Sequence, residues 1–358
     1  MRLARPGPSG CGGGGSGHPC SYTPRLVALA SLTVAVASHQ RREALLRLLR
    51  GLDEQLAADA ALRAGVRIVV VLDGSTDGSR EAVEAAAWTV PVEVLWQPNR
   101  GLAAARNAGL RAAGDGLVWF LDDDLVLPPG VVARHRGAHD PARPAVVVGP
   151  CRIPPETAAP AALRAWWDEF YATLDRTGTI DRFDRFTVAN ASAPARLIAG
   201  AGGFDERFTA YGLEDYELAV RLLSHEVPLR FEPEAFVWHP DVPPMSLLIR
   251  RQEDIGRNTA LLAHLHPGTA DLLVPPGAVP RSRHVLRRLR LRSPRSLRTT
   301  SRIAMLAWRL LRPLGPRASR PFEHLARAAA HAAGVAAGDP GGHLLDRLLG
   351  YPPRPATD

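Results

Sequence analysis

An apolar run that ends in three consecutive carboxylates places the strongest constraint on this chain. Residues 117–121 have strand propensity, and Asp122, Asp123 and Asp124 follow them directly. A short apolar run of this kind is typical of a strand buried on both faces, as in the centre of a parallel sheet. The sequence therefore predicts a central strand that delivers acidic groups to one edge of a sheet. The alternative is a strand that ends in a solvated acidic turn.

The spacing of the three carboxylates indicates what this edge can bind. In an extended backbone Asp122 and Asp124 leave on the same side, whereas Asp123 points the other way. Two negative charges held this close raise each other's pKa unless a positive charge lies between them. A divalent metal is the simplest such partner, because hard carboxylate oxygens suit it and because it also binds a diphosphate.

Strands and helices alternate around this run. The pattern predicts strands at 32–37, 66–72, 92–96, 117–121, 146–149 and 229–238. Helical spacing predicts helices that begin near Glu43, Ser79 and Gly101. This alternation predicts an α/β fold with a mostly parallel sheet flanked by helices, whose ligands bind beyond the carboxyl ends of the strands.

A second group of acids begins an amphipathic helix further along the chain. Its apolar stripe consists of Leu213, Tyr216, Val220 and Leu223. Glu214 and Asp215 then lie in the first turn, where the helix dipole favours ionised carboxylates. These two acids either stabilise the helix N-terminus or take part in chemistry.

The basic character of the chain belongs to one segment. The whole chain has a net charge of +8, whereas residues 281–320 alone contain thirteen arginines and no acidic residue. Apolar residues are interspersed at loosely helical spacing, and such an Arg-rich amphipathic segment favours an anionic membrane surface. Two alternatives remain open: nucleic-acid binding, and a solvated helical extension that packs on the acidic remainder of the chain.

Cysteine usage and hydropathy indicate the compartment. Cys11, Cys20 and Cys151 are an odd number in a long chain, which predicts no disulfide framework. The N-terminus lacks the apolar core of a signal peptide, and no stretch of about 20 apolar residues is present. We expect a cytoplasmic protein without a transmembrane helix, peripheral on the inner face of the plasma membrane if residues 281–320 bind lipid.

Five stretches between residues 30 and 240 resemble one family when they are taken together. They are Asp73-Gly74-Ser75-Thr76-Asp77, Asn99-x-Gly101-x4-Arg106-Asn107-x-Gly109, Phe120-Leu121-Asp122-Asp123-Asp124, Gly202-Gly203-Phe204-Asp205-Glu206 with Glu214-Asp215 after it, and His239. In this order and spacing they resemble the family 2 glycosyltransferases of GT-A fold. The resemblance implies a Rossmann-like domain that uses a nucleotide sugar.

The resemblance also implies roles for individual residues. Nucleotide-sugar binding is implied for Ser38, His39, Asp73, Arg106, Asp122 and Asp123. Binding of a divalent metal, Mg or Mn, is implied for Asp122, Asp124 and His239. Asp215 is implied as the base that takes the proton from an acceptor hydroxyl, with Glu214 as its neighbour, as an acceptor-binding group or as the base itself.

Each role has an alternative that the residues leave open. Asp73 either accepts the imide hydrogen of a base or initiates a turn. Arg106 either holds phosphate, locks the acidic loop or faces solvent. His239 binds metal or phosphate, or is structural. In one departure from the family, Ala37-Ser38-His39-Gln40 stand where Pro, Thr, Tyr and Asn are usual, so the identity of the base stays open.

These observations predict four parts and one leading function. The parts are a disordered tail at 1–24, a GT-A domain at 25–260, an Arg-rich α-helical extension at 261–350 and a disordered end at 351–358. The predicted function is inverting, metal-dependent transfer of a sugar from a UDP-, dTDP- or GDP-linked donor to a hydroxyl of a glycan, a lipid-linked or a small-molecule acceptor, as in cell-envelope or polysaccharide biosynthesis.

Two other function classes are alternatives to this one. A sugar nucleotidyltransferase generally needs a Gly-rich loop with Arg and Lys right after its first strand, and Ser38 to Arg42 offer none. A basic nucleic-acid- or membrane-binding protein with an inactive sugar-nucleotide domain is the alternative from a different class. The presence of all the acidic positions counts against it, and nucleic acid is the less favoured partner.

Overall fold

Strands and helices alternate through the first part of the chain, as the apolar patterning predicts. The computed structural model describes residues 31–159, 161–273, 281–289, 291–339 and 341–349. The tails predicted to be disordered, 1–24 and 351–358, lie outside the described residues.

The strands are β1 Leu32–Ser38, β2 Val66–Asp73, β3 Val92–Gln97, β4 Leu117–Asp122, β5 Val146–Val148, β6 Cys151–Arg152, β7 Asn190–Pro194, β8 Leu229–Phe231 and β9 Val237–Trp238. The helices are α1 Arg42–Ala58, α2 Ala60–Arg63, α3 Ser79–Glu84, α4 Leu102–Ala113, α5 Val131–Gly137, α6 Ala161–Thr177, α7 Ala195–Gly200, α8 Glu214–Ser224, α9 Met245–Leu265, α10 Ala270–Leu273, α11 Arg281–Arg288, α12 Pro294–Leu311, α13 Pro316–Gly338 and α14 His343–Leu349. Within the described residues the α/β class is therefore confirmed.

A seven-stranded sheet, in the order β3-β2-β1-β4-β7-β5-β8, organises the described part of the chain. Strands β3, β2, β1 and β4 run parallel to one another, whereas β7 is antiparallel to both β4 and β5. Strands β1, β2 and β4 are buried on both faces, which is why they read as continuous apolar runs in the sequence, whereas β3 at the edge of the sheet is partly exposed. Their carboxyl ends meet at one edge.

Two predictions about strands were wrong or incomplete. The single strand predicted at 229–238 is two short strands, β8 in the main sheet and β9 in a separate pair with β6. Glu232, Pro233 and Glu234 interrupt the apolar pattern here, and the chain turns so that the Ala235 amide donates to the Glu232 carbonyl. Strand β7 was not predicted, because its small and polar residues carry no strand signal.

The helices after residue 244 pack as a bundle attached to the sheet domain. Helix α13 contacts α9 along its length, and glycines set this contact at backbone distance. A Cβ added to Gly334 would lie 2.0 Å from the Glu253 carbonyl oxygen, and one added to Gly256 would lie 2.1 Å from that of His331. Helix α12 covers another side of α13. None of the helices among the described residues is both long and apolar enough to span a bilayer.

Candidate active site

The candidate site lies where β1, β2 and β4 end side by side. These strands finish at Ser38, Asp73 and Asp122, and the parallel register aligns Ser38 with Leu72 and Ala37 with Asp122. The polar residues predicted from three separate motifs therefore share one edge of the sheet. This is the position at which parallel α/β sheets bind their ligands.

Asp73 anchors the loop that leads into α4. Its carboxylate accepts hydrogen bonds from the backbone amides of Arg100 at 2.9 Å and Gly101 at 2.8 Å, and from the Gln97 side chain at 2.8 Å. Asp73 is buried, with 5% of its surface exposed. A carboxylate with three donors has little acceptor capacity left, so Asp73 fixes the shape of this loop. Nucleotide binding at this position remains a prediction.

His39 lies on the rim next to Asp73 and is exposed. Its Nδ1 lies 2.6 Å from the Asp73 carbonyl oxygen and its Nε2 lies 3.5 Å from the Asn99 amide nitrogen. The next residue, Gln40, has a left-handed backbone with φ 56° and is held by bonds to Ser75 and Thr76. A non-glycine residue in this region is a form of strain that concentrates at functional sites.

Asp123 is buried, and the predicted alternation of Asp122, Asp123 and Asp124 is wrong. Strand β4 ends at Asp122, and Asp123 and Asp124 lie in the turn after it, where Arg41 Nη1 contacts both carboxylates. Ser38 Oγ donates to Asp123 Oδ2 at 2.6 Å, and Arg41 Nη1 donates to Oδ1 at 3.1 Å. Burial raises the pKa of Asp123 to about 7, although the bonds from Ser38 and Arg41 oppose this rise. Within the described structure, Asp123 therefore affects the edge of the sheet through its hydrogen bonds with Ser38 and Arg41.

Asp124 faces two basic side chains. Arg41 Nη1 donates to Asp124 Oδ2 at 2.5 Å, and His239 Nε2 lies 3.7 Å from the same oxygen. Burial acts to raise the pKa of Asp124, but the charges of His239 and Arg41 outweigh it and lower the pKa below its usual range. Asp124 is thus an ionised carboxylate at neutral pH. In the sequence, the only signal of Arg41 is a cation in the turn after β1, and this does not distinguish it from other arginines.

The donor set at Asp124 suits a divalent cation with two protein ligands. Asp124 and His239 offer an ionised oxygen and an imidazole nitrogen at the 3.7 Å separation given above, which lets both contact one ion. Asp122 instead faces Arg106, and the described residues form no group of three or more His, Cys, Asp or Glu arranged to hold a metal. A cation bound here would take its other ligands from water or from a diphosphate.

Arg106 joins the two acidic clusters that lie apart in the sequence. Its Nη2 donates to Asp122 Oδ1 at 2.9 Å and its Nη1 donates to Glu214 Oε1 at 2.6 Å. Arg106 and Glu214 are both buried. Burial alone lowers the pKa of Arg106, but Asp122 and Glu214 together raise it, so the guanidinium stays charged. Arg106 is therefore not a solvent-facing residue, and it holds Asp122 and Glu214 together. Phosphate binding by Arg106 remains a prediction.

Of the adjacent acids Glu214 and Asp215, only Asp215 keeps part of its surface exposed. It follows Glu214 in the first turn of α8, and its carboxylate accepts a hydrogen bond from the adjacent Tyr216 amide at 2.9 Å. Removal of the carboxyl group from water and the negative charge of Glu214 raise the pKa of Asp215 to about 7, despite the opposing charge of Arg106. A carboxylate with this pKa can accept a proton near neutral pH.

The loops around the acid pair are fixed by two asparagines. Asn107 exchanges bonds of 2.8 Å with the backbone amide and carbonyl of Phe204, which closes the Gly202–Glu206 turn against α4. Asn258 on α9 donates to the carbonyls of Ala210 and Gly212, just before α8. The helical bundle therefore holds the segment that presents Glu214 and Asp215.

Comparison with known proteins identifies the family that residues 33–195 match. The sequence profile described as Glycosyl transferase family 2 matches residues 33–195. These residues belong to glycosyl transferase family 2. The match contains Ser38, His39, Asp73, Arg106 and Asp122 to Asp124, whereas Glu214, Asp215 and His239 lie after it.

Named relatives of the family 2 domain agree with this membership. Validoxylamine A glucosyltransferase from Streptomyces hygroscopicus subsp. limoneus is 30% identical over 239 residues, which are 59% of this chain and 51% of that protein. Pre-mycofactocin glycosyltransferase from Mycobacterium tuberculosis is 31% identical over 223 residues, 60% of this chain and 46% of that protein. The chain spans about half the length of these curated relatives.

Solved structures show that the family 2 domain has the GT-A fold. A mannosyltransferase from Pyrobaculum calidifontis, in complex with GDP-Man and Mn2+, superposes with a TM-score of 0.51 and 18% identity over 88% of this chain and 76% of that one. Residues 1–349 of S. aureus TarS superpose with a TM-score of 0.50 and 15% identity over 84% and 90%. The predicted fold is therefore confirmed.

The structure also adds residues to the candidate site that could not be selected from the sequence. Arg41 is one, because it bridges Asp123 and Asp124. Tyr211 is another: it is 45% exposed beside the acid pair, and the Arg251 guanidinium lies 4.3 Å from its ring centroid. An exposed tyrosine in a loop carries no pattern by which sequence alone could have selected it.

Proposed function

We propose that this chain transfers a sugar from a nucleotide-diphosphate donor to an acceptor hydroxyl with inversion at the anomeric carbon. The observation that carries the proposal is the bridge made by Arg106 between Asp122 and Glu214. This bridge brings the acids implied in donor binding and the acids implied in proton removal to one rim. The family 2 domain and its glycosyltransferase relatives support the same reaction class.

Asp215 is the residue we propose as the base. The Asp215 carboxylate takes the proton as the acceptor oxygen forms its bond to the anomeric carbon. The bond from that carbon to the diphosphate oxygen breaks at the same time, and the nucleotide diphosphate leaves with the electron pair on the opposite face. Glu214 is the less suitable base because its carboxylate is buried against Arg106. We propose that it maintains the negative field that keeps the pKa of Asp215 high.

Asp124 and His239 are the residues we propose to hold a divalent cation, Mg or Mn, with Asp122 next to it. When bound, the cation supplies positive charge that stabilises the leaving diphosphate. Arg41 orients the Asp124 carboxylate, and Ser38 orients Asp123 beneath it. The Mn2+ and GDP-Man in the structurally similar mannosyltransferase support this proposal.

The donor is proposed as a nucleotide-linked hexose, because the relatives include a glucosyltransferase and a mannosyltransferase. Asp73 and His39 line the end of β2 where the base would lie. UDP-, dTDP- and GDP-linked sugars remain the candidates. We propose a cytoplasmic protein, attached to the inner face of the plasma membrane through its basic segment.

A thermal-shift screen followed by a turnover assay tests the proposal. The full chain is titrated with UDP, dTDP and GDP and with their hexose conjugates, in Mn2+ or in EDTA. We expect one nucleotide family to raise the Tm only with metal, and we expect Asp124→Ala to abolish that rise. The matched control is Asp115→Ala, an exposed acid in the turn before β4.

Two outcomes would contradict parts of the proposal. If nucleotides raise the Tm equally in EDTA and in Asp124→Ala, the metal assignment is wrong. If a metal-dependent shift occurs but neither transfer nor slow hydrolysis of any nucleotide sugar is detected, the protein is an inactive binder.

A further inference from the structure

Helix α12 has two apolar faces, and only one of them is covered. Leu297, Ser301 and Ala304 are buried, and α12 packs against α13. On the opposite side lie side chains that are exposed by more than half, namely Ile303 at 64%, Leu306 at 58%, Leu310 at 68% and, just after the helix, Leu314 at 73%. Packing on α13 explains the first face but not the second, which none of the described residues covers.

A row of arginines borders the uncovered apolar row. Arg295, Arg302 and Arg309 are seven residues apart, so they share one side of the helix, and all three are exposed. None of the three is within ion-pair distance of an acid in the described structure. Arg298 points elsewhere and pairs with Glu253 on α9 at 2.8 Å. The uncovered apolar row and this row of arginines together form what we call the outer face of α12.

A cleft of about 230 Å³ opens beside the outer face, between α12 and α9. Ile249, Met305 and Leu306 give it apolar walls, and Arg302 and Arg309 stand at its sides. Guanidinium groups bind phosphate with two parallel hydrogen bonds. The combination of apolar walls and two guanidinium groups matches the phosphate and upper acyl chains of an anionic phospholipid.

We propose that the outer face of α12 docks on an anionic phospholipid bilayer. Ile303, Leu306, Leu310 and Leu314 enter the acyl boundary, and the row of arginines contacts headgroup phosphates. Nucleic acid fits the face less well, because four exposed aliphatic side chains would remain in water against a phosphate backbone. A second copy of this chain fits less well too, since a two-fold contact would place the arginine rows together without acids between them.

Docking would fix the orientation of the candidate site to the bilayer. Arg298 ties α12 to α9 through Glu253, and Asn258 on α9 holds the loop before Glu214. An acceptor carried on a lipid would therefore meet a site held at a constant orientation to the surface. This last step rests on the proposed function, whereas bilayer binding itself does not.

Vesicle co-sedimentation of the full chain, without any nucleotide sugar, tests the docking. We expect binding to phosphatidylcholine vesicles that contain phosphatidylglycerol, weak binding to pure phosphatidylcholine, and a loss of binding with added salt. Arg302→Gln with Arg309→Gln should weaken partitioning about fivefold for each arginine. The control, Arg111→Gln with Arg196→Gln, removes the same charge from exposed positions of α4 and α7 and should leave binding unchanged.

The apolar row needs its own variant. Leu306→Asn with Leu310→Asn should weaken partitioning by about tenfold or more, because two leucines no longer enter the bilayer. Leu272→Asn, at a leucine of α10 that is 44% exposed, is the control and should bind like the unaltered chain. Circular dichroism melts of every variant separate loss of docking from loss of folding.

Three results would overturn the docking. They are equal vesicle binding by the asparagine variant and the unaltered chain, tight binding of duplex DNA or RNA that needs the arginines but not the leucines, and a dimer in sedimentation that dissociates in Leu310→Asn without any vesicle binding. Vesicle binding without sugar transfer would leave the docking intact and contradict the proposed function alone. Sugar transfer without vesicle binding would contradict the docking and leave the proposed reaction intact.

Discussion

Arg106 and Glu214 lie 108 residues apart in the chain and form a buried ion pair, with 2.6 Å between Nη1 and Oε1. The same guanidinium holds Asp122 on its other side. One arginine on α4 is therefore the common counter-charge for the acid at the end of β4 and the acid at the start of α8. The stability and the pH response of the site both depend on it.

Removal of Arg106 should destabilise the fold. Arg106→Leu leaves Glu214 buried without its partner, and breaking a buried pair in this way costs about 3–5 kcal/mol. Urea denaturation followed by circular dichroism measures the loss. Arg111→Leu, at an exposed position of the same helix, should change the free energy of unfolding by about 0.5 kcal/mol or less. Arg106→Leu with Glu214→Leu should recover part of the loss, and no recovery would argue against the pair as the cause.

Asp215 should set the acid limb of the pH profile. Because its pKa is raised to about 7, the base is protonated below that pH, and kcat/KM should fall about tenfold per pH unit there. Asp215→Asn should lower kcat by a factor of about 100 or more at pH 8 and above, where the carboxyl group of the unaltered chain is ionised. The measurement is transfer to a fixed acceptor between pH 5 and pH 9. A flat profile would exclude Asp215 as the base.

Glu214→Gln distinguishes the two acids. The negative charge of Glu214 is one of the causes that raise the pKa of Asp215, so its removal should move the acid limb to lower pH while activity at pH 8 largely persists. Complete loss of activity at pH 8 in a folded Glu214→Gln variant would instead identify Glu214 as the base.

The raised pKa of Asp215 also has a consequence for stability. The folded state holds this proton more tightly than the unfolded state, whose pKa is near the ordinary 3.8, so ionisation of Asp215 lowers the stability of the fold as pH rises from about 4 to about 7. Asp215→Asn should therefore have a higher Tm than the unaltered chain at pH 8 and a similar Tm near pH 4. A Tm difference that is the same at both pH values would contradict this assignment.

The contact between α9 and α13 should not tolerate a methyl group. Gly334→Ala places a Cβ against the Glu253 carbonyl, and the helices must separate at a cost of about 1–3 kcal/mol. Gly200→Ala in α7 is the control, because its Cβ meets nothing within 4 Å and alanine favours a helix by about 0.5–1 kcal/mol. Thermal unfolding of the two variants should shift in opposite directions.

The sequence predicted the elements whose signal is local. Strands β1 to β4 are buried on both faces or packed against helices, so their apolar runs and the turns between them were sufficient. Strand β7 was missed because Asn190 to Pro194 owe their extended form to partners on both sides, which are distant in the sequence. The predicted strand at 229–238 failed because a period-2 pattern does not reveal that the chain changes sheets.

In the candidate site, too, the features with a local sequence signal could be predicted and those that depend on distant contacts could not. Acids at strand ends could be placed on one rim from their motifs, and the structure brings Ser38, His39 and Asp122 to Asp124 there. The pairing of Arg106 with Asp122 and Glu214, and of Arg41 with Asp124, depends on side-chain directions that spacing does not encode. For that reason the sequence grouped Asp122 with Asp124 as metal ligands, whereas the structure turns Asp122 toward Arg106.

Helix α9 contacts both the helical bundle and the candidate site. Its Gly256 packs against the backbone of α13, and its Asn258 holds the loop before Glu214. Chimeras between this chain and its relatives should therefore not be spliced between α8 and α13. A donor segment that brought its own α13 without the matching α9 would present a side chain where a bare backbone is required, and the acceptor-side loop would lose its support. Recombination of whole units that begin before Ala210, and so keep this loop, α8, α9 and α13 together, is the division that this architecture permits.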